Sequence, residues 1–392
     1  MPKYIIIGLL LMLSSHFTQG LELSENAEIR VITIGPTQTE LYSAFGHSGF
    51  RVLDSANSID IFFNYGVFDF NQPNFYLNFT RGKLLYRLGL ADYNRVRDYY
   101  IQNNRSVTEQ ILNLSIAEKK LVFDFLMENN KPENQEYYYN YIYDNCATKM
   151  RDVLQESLDR EILFDFSYVK EALSYRDLMD LYLVYQPWGD LGIDLCLGAE
   201  IDNIADGNGY LYLPDYIEVA FAKAKISADG IEKPLVAKTE RTFVSSPENL
   251  ENGFWTPNTV FVIVFFIIGL IIHRSLKYKA SNRWLDVILF GVTGIVGTLL
   301  TILWFATDHL SAYNLNILWA MPFNLLGLFF LLKRRKQNLT KQYFLAYGIL
   351  QIAIILFSGL LPQTLHLAFV PLVLGLSMRS FYLYFELKRN EI

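Results

Sequence analysis

Two cysteines in 392 residues are too few for a disulfide scaffold or a four-thiolate zinc site. Five histidines show no ligand spacing with those cysteines or with the carboxylates, so no metal site is expected. Charge is also scarce. Charged residues make up 19% of the chain, against about 25% in soluble domains. Lys and Arg number 34 against 40 Asp and Glu, a formal net charge of −6. That balance gives no basic face for nucleic acid. Internal repeats and low-complexity stretches are absent. What is plentiful is apolar: 52% hydrophobic and 15% aromatic residues. Such a composition excludes a disordered chain and argues against a purely soluble one.

The apolar residues are unevenly placed. Residues 1–20 carry Lys3, an apolar stretch from Tyr4 to Leu13, and small residues at Thr18 and Gly20. This pattern predicts a secretory signal peptide, and no cysteine follows it to make the chain a lipoprotein. An uncleaved anchor is the other reading. Residues 21–255 read as an exported globular domain mixing short strands (Ile29–Ile34, Gly49–Leu53, Ile59–Tyr65) with helices such as Ile116–Glu128. Thr239–Pro257 reads as a polar linker. Residues 256–392 read as a transmembrane helical domain. Its apolar runs at roughly 258–273, 285–306, 316–332, 342–361 and 364–384 each approach the ~20 residues that cross a bilayer. About five spans are expected.

Charge placement sets the expected topology. Arg274, Lys277, Lys279 and Arg283 fill one connection, Lys333–Lys336 and Lys341 another, and Lys388 and Arg389 the tail. The two remaining connections, TDHLSAYNLN and GLLPQT, have no Lys or Arg. The positive-inside rule then puts the basic loops and the C-terminus in the cytoplasm and residues 21–255 outside.

Once the signal peptide is removed, the exported part holds one histidine, His47, at the start of a strand. Cys146 opens a predicted helix behind the cap-type residues Asp144 and Asn145. A thiol there feels the positive end of the helix dipole, which favours thiolate. An imidazole beside it would serve as base and acid. The histidine precedes the cysteine by about a hundred residues, the reverse of the papain order. That is the order of the circularly permuted papain-like group, in which a polar residue on the next strand orients the imidazole. Asn64 is the candidate for that role, with Asp60 and Asp69 behind it. The backbone N–H groups at the helix start, at Asn145, Cys146 and Ala147, are candidate oxyanion donors. Simple packing of Cys146, or a disulfide with Cys196, remains open. Cys196 sits in an apolar context and reads as a core residue.

The strings GHSGFRVLD, FNYGVFDFNQPNFYLNFTRGKLLYRLG and YDNCATKMRD resemble the periplasmic domain of the Lnb-type lipoprotein N-acyltransferases of Bacteroidetes. TILWFATDHLSAYNLNILWAMPFNLL resembles that family's membrane segment. The resemblance implies an α+β, circularly permuted papain-like exported domain followed by an all-α transmembrane bundle in a bacterial inner membrane. It implies a thiol acyltransferase with Cys146 as nucleophile and His47 as base. Its partners would be a phospholipid acyl donor and a diacylated lipoprotein acceptor, and it would need no cofactor.

Further residues have two readings each. Arg81, next to Gly82 and Lys83, would hold a lipid phosphate or merely close a helix. Asp308, His309, Asn314, Asn316, Asn324, Gln363 and His366 would form a head-group site on the outer side, or solvate loops and bond helices together. Two rival functions stay open: an exported papain-like peptidoglycan amidase or peptidase, and a non-enzymatic membrane sensor or assembly factor.

Overall fold

A computed structural model describes residues 22–389, apart from 69–71, 84, 229–230, 248 and 280–281. The expected signal peptide and Asp69 lie outside the described residues. The N-terminal part is built on a seven-stranded sheet of order β10-β5-β1-β2-β3-β4-β6. Its strands are β1 (Glu28–Ile34), β2 (His47–Asp54), β3 (Ile59–Val67), β4 (Leu85–Asp92), β5 (Val107–Leu112), β6 (Glu136–Tyr138) and β10 (Val236–Phe243). All neighbours are antiparallel. A small sheet joins β7 (Glu161–Leu163), β8 (Lys225–Ala228) and β9 (Ile231–Pro234).

The central strand β1 reads EIRVITI and is buried nearly throughout, so both faces of the sheet must be covered. Alternation along the strand divides its side chains between two cores. Ile29 and Val31 join Phe50, Val52 and Phe63 on one face. Helices α3 (Ile116–Asn129), α4 (Thr148–Ser157) and α7 (Pro214–Lys223) pack there through Phe123, Met150 and Phe221. Ile32 and Ile34 join Phe62 and Val107 on the other face, beneath α2 (Tyr93–Gln102). Helix α1 (Phe75–Thr80) buries none of its residues. Two more helices, α5 (Tyr175–Leu183) and α6 (Pro187–Cys196), lead toward the membrane part.

Strand β10 extends to Phe243, so the first residues of the expected linker are edge strand. Its Lys238, Glu240 and Arg241 look loop-like in sequence, but they belong to a sheet edge, where Glu240 pairs with Arg30 and Arg241 with Glu218.

The C-terminal part is helical: α8 (Pro257–Tyr278), α9 (Arg283–Ala306), α10 (Asn324–Leu332), α11 (Gln337–Leu356) and α12 (Phe369–Arg389). Among the described residues, α8, α9 and α11 are long and apolar enough to cross a membrane. The expected third span is broken. A short 3-10 turn at Leu315–Leu318 precedes α10, whose nine residues extend only about 14 Å. Helix α12 has 21 residues but carries Arg379, Glu386, Lys388 and Arg389, which lower its hydropathy. Arg379 is fully buried and bonds Asp286 of α9 at 2.7 Å, so this charge faces the bundle interior.

Candidate active site

His47 is placed by Gly46. That glycine has φ +82°, and a Cβ on it would lie 2.8 Å from the Ile34 carbonyl oxygen, so only glycine fits the close approach. The turn delivers His47 to the first position of β2. Asn64 stands on the paired strand β3, and its Oδ1 lies 2.8 Å from His47 Nε2. The Phe62 ring meets the imidazole edge-on at 6.5 Å. Just beyond Asn64 the β3–β4 register slips, and Gly66 takes φ +93°. This bulge turns the end of β3 toward Cys146: a Cβ on Gly66 would lie 3.9 Å from that of Cys146.

Cys146 lies in the turn that opens α4. Asn145 Oδ1 accepts from the Ala147 N–H at 2.8 Å and the Thr148 N–H at 3.0 Å. Its amide donates to the carbonyls of Tyr141 and Tyr212, each at 2.8 Å. Asn145 therefore caps the helix and ties it to the α7 side of the core. Two of the expected oxyanion donors are already taken. The Ala147 N–H serves the cap, and the Asn145 N–H donates to Thr148 Oγ1 at 2.8 Å. A helix start leaves several N–H groups to be satisfied, and here side chains satisfy these two. The backbone N–H groups of Ser48 and of Cys146 itself favour the thiolate form of the sulfur.

Cys146 and Cys196 are both free thiols, so the expected alternative of a disulfide is not realised. Cys196 is exposed at the end of α6, not a core residue. Cys146 is buried and hydrogen-bonded to His47. With Nε2 taken by Asn64, Nδ1 is the imidazole nitrogen left for the thiol. Burial pushes the Cys146 thiol up, but the His47 charge, its hydrogen bond and the two N–H donors outweigh this and hold the thiol below its ordinary value. Burial pulls His47 down, and the neighbouring thiolate and the bonds to Cys146 and Asn64 raise it above its ordinary value. The pair thus favours thiolate and imidazolium together.

One nearby group escaped the sequence reading. Arg105 is 7% exposed, acts on both His47 and Cys146 through its charge, and holds the Gly35 carbonyl at 2.9 Å through Nε. Its Nη2 is buried with no partner among the described residues. The sequence NNRSV gave no sign of this, because the position depends on β5 pairing beside β1. Asp60 is committed elsewhere: Arg51 Nε donates to it at 2.7 Å.

The polar residues of the membrane part do not form one cluster. Asp308 meets the Arg81 backbone, and His309 meets that of Phe79. The Asp308 N–H donates to the Arg81 carbonyl at 2.8 Å, and His309 Nε2 lies 3.0 Å from the Phe79 carbonyl. Gly82, with φ +74°, passes so close that a Cβ would lie 2.6 Å from the His309 nitrogen. Arg81 itself ends α1, and its side chain is exposed.

Asn316 departs from its expected head-group role. It is 1% exposed; its amide donates to the Asp194 carbonyl at 2.9 Å, and its oxygen accepts from Trp319 Nε1 at 2.8 Å. Asn314 donates to the carbonyls of Leu195 and Cys196 at 2.8 and 3.1 Å, and Gln363 to that of Leu197 at 3.0 Å. These amides cap the carbonyls at the end of α6, which would otherwise be orphaned. Gly198 completes the junction, since a Cβ there would lie 1.8 Å from the Ala312 oxygen. Asn324 is buried in the bundle, between Thr293, Tyr343 and Tyr347.

Among the described residues, the carboxylates of Asp180, Asp190 and Asp194 come within 4.8 Å of one another. Arg176 pairs with Asp194, and His366 Nε2 lies 3.1 Å from Asp190, while burial and the charges of Asp194 and Asp190 push Asp180 up to about 8.

Together these features define a class: a membrane protein whose α+β domain carries a thiol–imidazole–amide cluster and sits directly on a helical bundle. The chain belongs to the Lnb family, matching the Lnb N-terminal periplasmic domain over residues 24–181 and the Lnb transmembrane domain over residues 249–391. No curated protein and no solved structure matches it.

Proposed function

We propose that this protein is a membrane-bound lipoprotein N-acyltransferase that works through a thioester on Cys146. One observation carries the reading. A free thiol is held against His47, whose second nitrogen is fixed by Asn64 at 2.8 Å, in a chain of the Lnb family. The reaction has two halves. The Cys146 thiolate attacks a phospholipid ester carbonyl. The S–C bond forms, the C–O bond breaks, and the His47 proton passes to the departing glycerol oxygen, releasing a lysophospholipid. The α-amine of a diacylated lipoprotein's first cysteine then attacks the thioester. The N–C bond forms, the C–S bond breaks, and His47 takes the amine proton, restoring thiolate and imidazolium. In this reading the N–H groups of Ser48 and Cys146, which favour the thiolate, turn to the oxyanion once the sulfur has attacked. Arg105 supplies a buried positive charge for the donor's phosphate.

In this reading residues 1–20 are the signal peptide, residues 21–255 the periplasmic catalytic domain and residues 256–392 the membrane domain, with the basic loops and the C-terminus in the cytoplasm. The test is mass spectrometry of lipoprotein N-termini from cells lacking the protein, complemented with wild-type or Cys146→Ala copies. The N-acyl group should vanish in the deletion and return only with the wild type. Full acylation in the deletion, or rescue by Cys146→Ala, would overturn the proposal. Released wall peptides in place of acylated lipoprotein would identify a peptidase.

A further inference from the structure

An unbroken run of aromatic rings leads from Cys146 to the bundle. It starts at Tyr139, whose ring atom lies 3.4 Å from a Cβ built on Gly66, the residue facing Cys146. Tyr139 stacks on Tyr86 with centroids 4.4 Å apart. Tyr86 meets Phe68 at 5.4 Å, Phe68 meets Phe75 at 6.4 Å, and Phe75 meets Phe79 at 5.9 Å. Phe79 ends the run against His309 at 6.5 Å. Tyr86 lies on β4, Phe75 and Phe79 on α1, Phe68 just past the end of β3 and Tyr139 just past the end of β6, so the continuity arises only on folding.

The run does not form a closed core. Phe68 and Phe79 are exposed, as are Tyr76 and Leu77 of α1. Helix α1, FYLNFT, carries no charge, and Thr80 turns its hydroxyl back onto the Tyr76 carbonyl at 2.7 Å. A six-residue helix with every large apolar side chain in contact with water would be unfavourable. Its position explains it. His309 lies in the chain between Trp304 and Tyr313, whose rings meet at 5.5 Å at the end of α9. Trp and Tyr at a helix end mark the level of a bilayer interface.

We propose that α1 dips into the membrane interface beside α9, and that the run from Phe79 to Tyr139 is a binding strip that takes one phospholipid acyl chain from the bilayer to Cys146. The inference rests on the acyl-transfer reading and adds the donor's path to it. A peptide or glycan would call for polar groups placed all along the strip, whereas among these five rings the hydroxyls of Tyr86 and Tyr139 are the polar side-chain groups. A single acyl chain laid along these rings would reach from lipid level to the thiol.

The test uses the full chain with Cys146→Ala, in vesicles of phosphatidylethanolamine and phosphatidylglycerol. A benzophenone side chain replaces Phe79, Tyr86 or, as a control, Ile231, which is exposed on β9 away from the bundle. Irradiation should give phospholipid adducts at positions 79 and 86 and at least tenfold fewer at 231. Adducts at neither position, at 79 alone, or equally at all three would overturn the strip. Melting temperatures matching the parent's show that each variant is folded. In parallel, the chain with Cys146 intact is examined for a hydroxylamine-sensitive acyl-enzyme. Adducts without acyl-enzyme support the strip and sink the proposed reaction. Acyl-enzyme without adducts sinks the strip and leaves the reaction.

Discussion

His47 and Asn64 meet at 2.8 Å across two antiparallel strands that register with each other only from Phe50 and Phe63 onward. The amide therefore orients the imidazole from beyond the paired part of the ladder, where the strands open toward Cys146. An amide oxygen facing Nε2 requires a proton there, so the bond is strongest in the imidazolium form. Asn64→Ala removes a charge-assisted hydrogen bond of about 1.5–3 kcal/mol. Acyl transfer from phospholipid to a diacylated lipopeptide should fall roughly 10- to 150-fold, with little change in melting temperature. An unchanged rate would show that the amide does not position the base.

The ion pair makes a pH prediction. Cys146 is held below its ordinary value and His47 above its own. Thiolate is thus present above the lowered thiol pKa and disappears as pH falls through it. Imidazolium is present below the raised pKa of His47 and disappears as pH rises through it. Acylation of the enzyme should follow a bell between these limits. Cys196 differs: the residue is exposed, but the atoms packed around its sulfur raise the thiol, with no charge to oppose them. At pH 7 iodoacetamide should label Cys146 at least ten times faster than Cys196, and His47→Ala should erase the preference. Equal labelling in the wild type would mean that the pair is not ionised.

Gly46 offers a test of placement. An alanine there must hold φ near +82° and sit 2.8 Å from the Ile34 oxygen. The left-handed conformation alone costs roughly 1–2 kcal/mol. Gly46→Ala should lower the melting temperature and reduce turnover beyond what the loss of folded protein explains. Full specific activity of the folded fraction would show that His47 does not depend on this turn.

The junction can be probed by Asn316→Ala. It strips a partner from the buried Asp194 carbonyl and from the Trp319 indole, at about 1–3 kcal/mol for each group left unsatisfied. Gly198→Ala forces a Cβ into the Ala312 backbone and should weaken the same contact. Limited proteolysis across residues 244–256 should accelerate in both variants while the Cys146 alkylation rate stays unchanged. Unaltered cleavage would mean that the two parts are held together by other contacts.

The sequence made some of this plain and hid the rest. His47 before a strand of alternating residues, Asn64 on the following strand and Cys146 behind an Asx cap were all legible, because each depends on local pattern. The helix cap also concealed something. A sequence shows that Asn145 can cap, but not that capping spends the Ala147 N–H expected to face an oxyanion. Arg105 and the aromatic run were invisible, since they depend on which strands lie side by side. Asn314, Asn316 and Gln363 looked like a head-group cluster because polar residues near a span suggest water or ligand. Here they face the bare carbonyl end of a helix from the other half of the chain. Phe243 lay within an expected linker because a charged sheet edge and a polar loop share one composition.

The capping of α6 by the bundle bears on how this protein can be handled. The carbonyls of Asp194, Leu195, Cys196 and Leu197 receive their donors from Asn316, Asn314 and Gln363, all C-terminal to the linker. A soluble truncation ending at the linker would leave the end of α6 bare and uncover Leu191, which packs with Ile268 and Phe369. Such a fragment would present a sticky, fraying edge, and its inactivity or aggregation would report on the cut surface and not on the chemistry of Cys146.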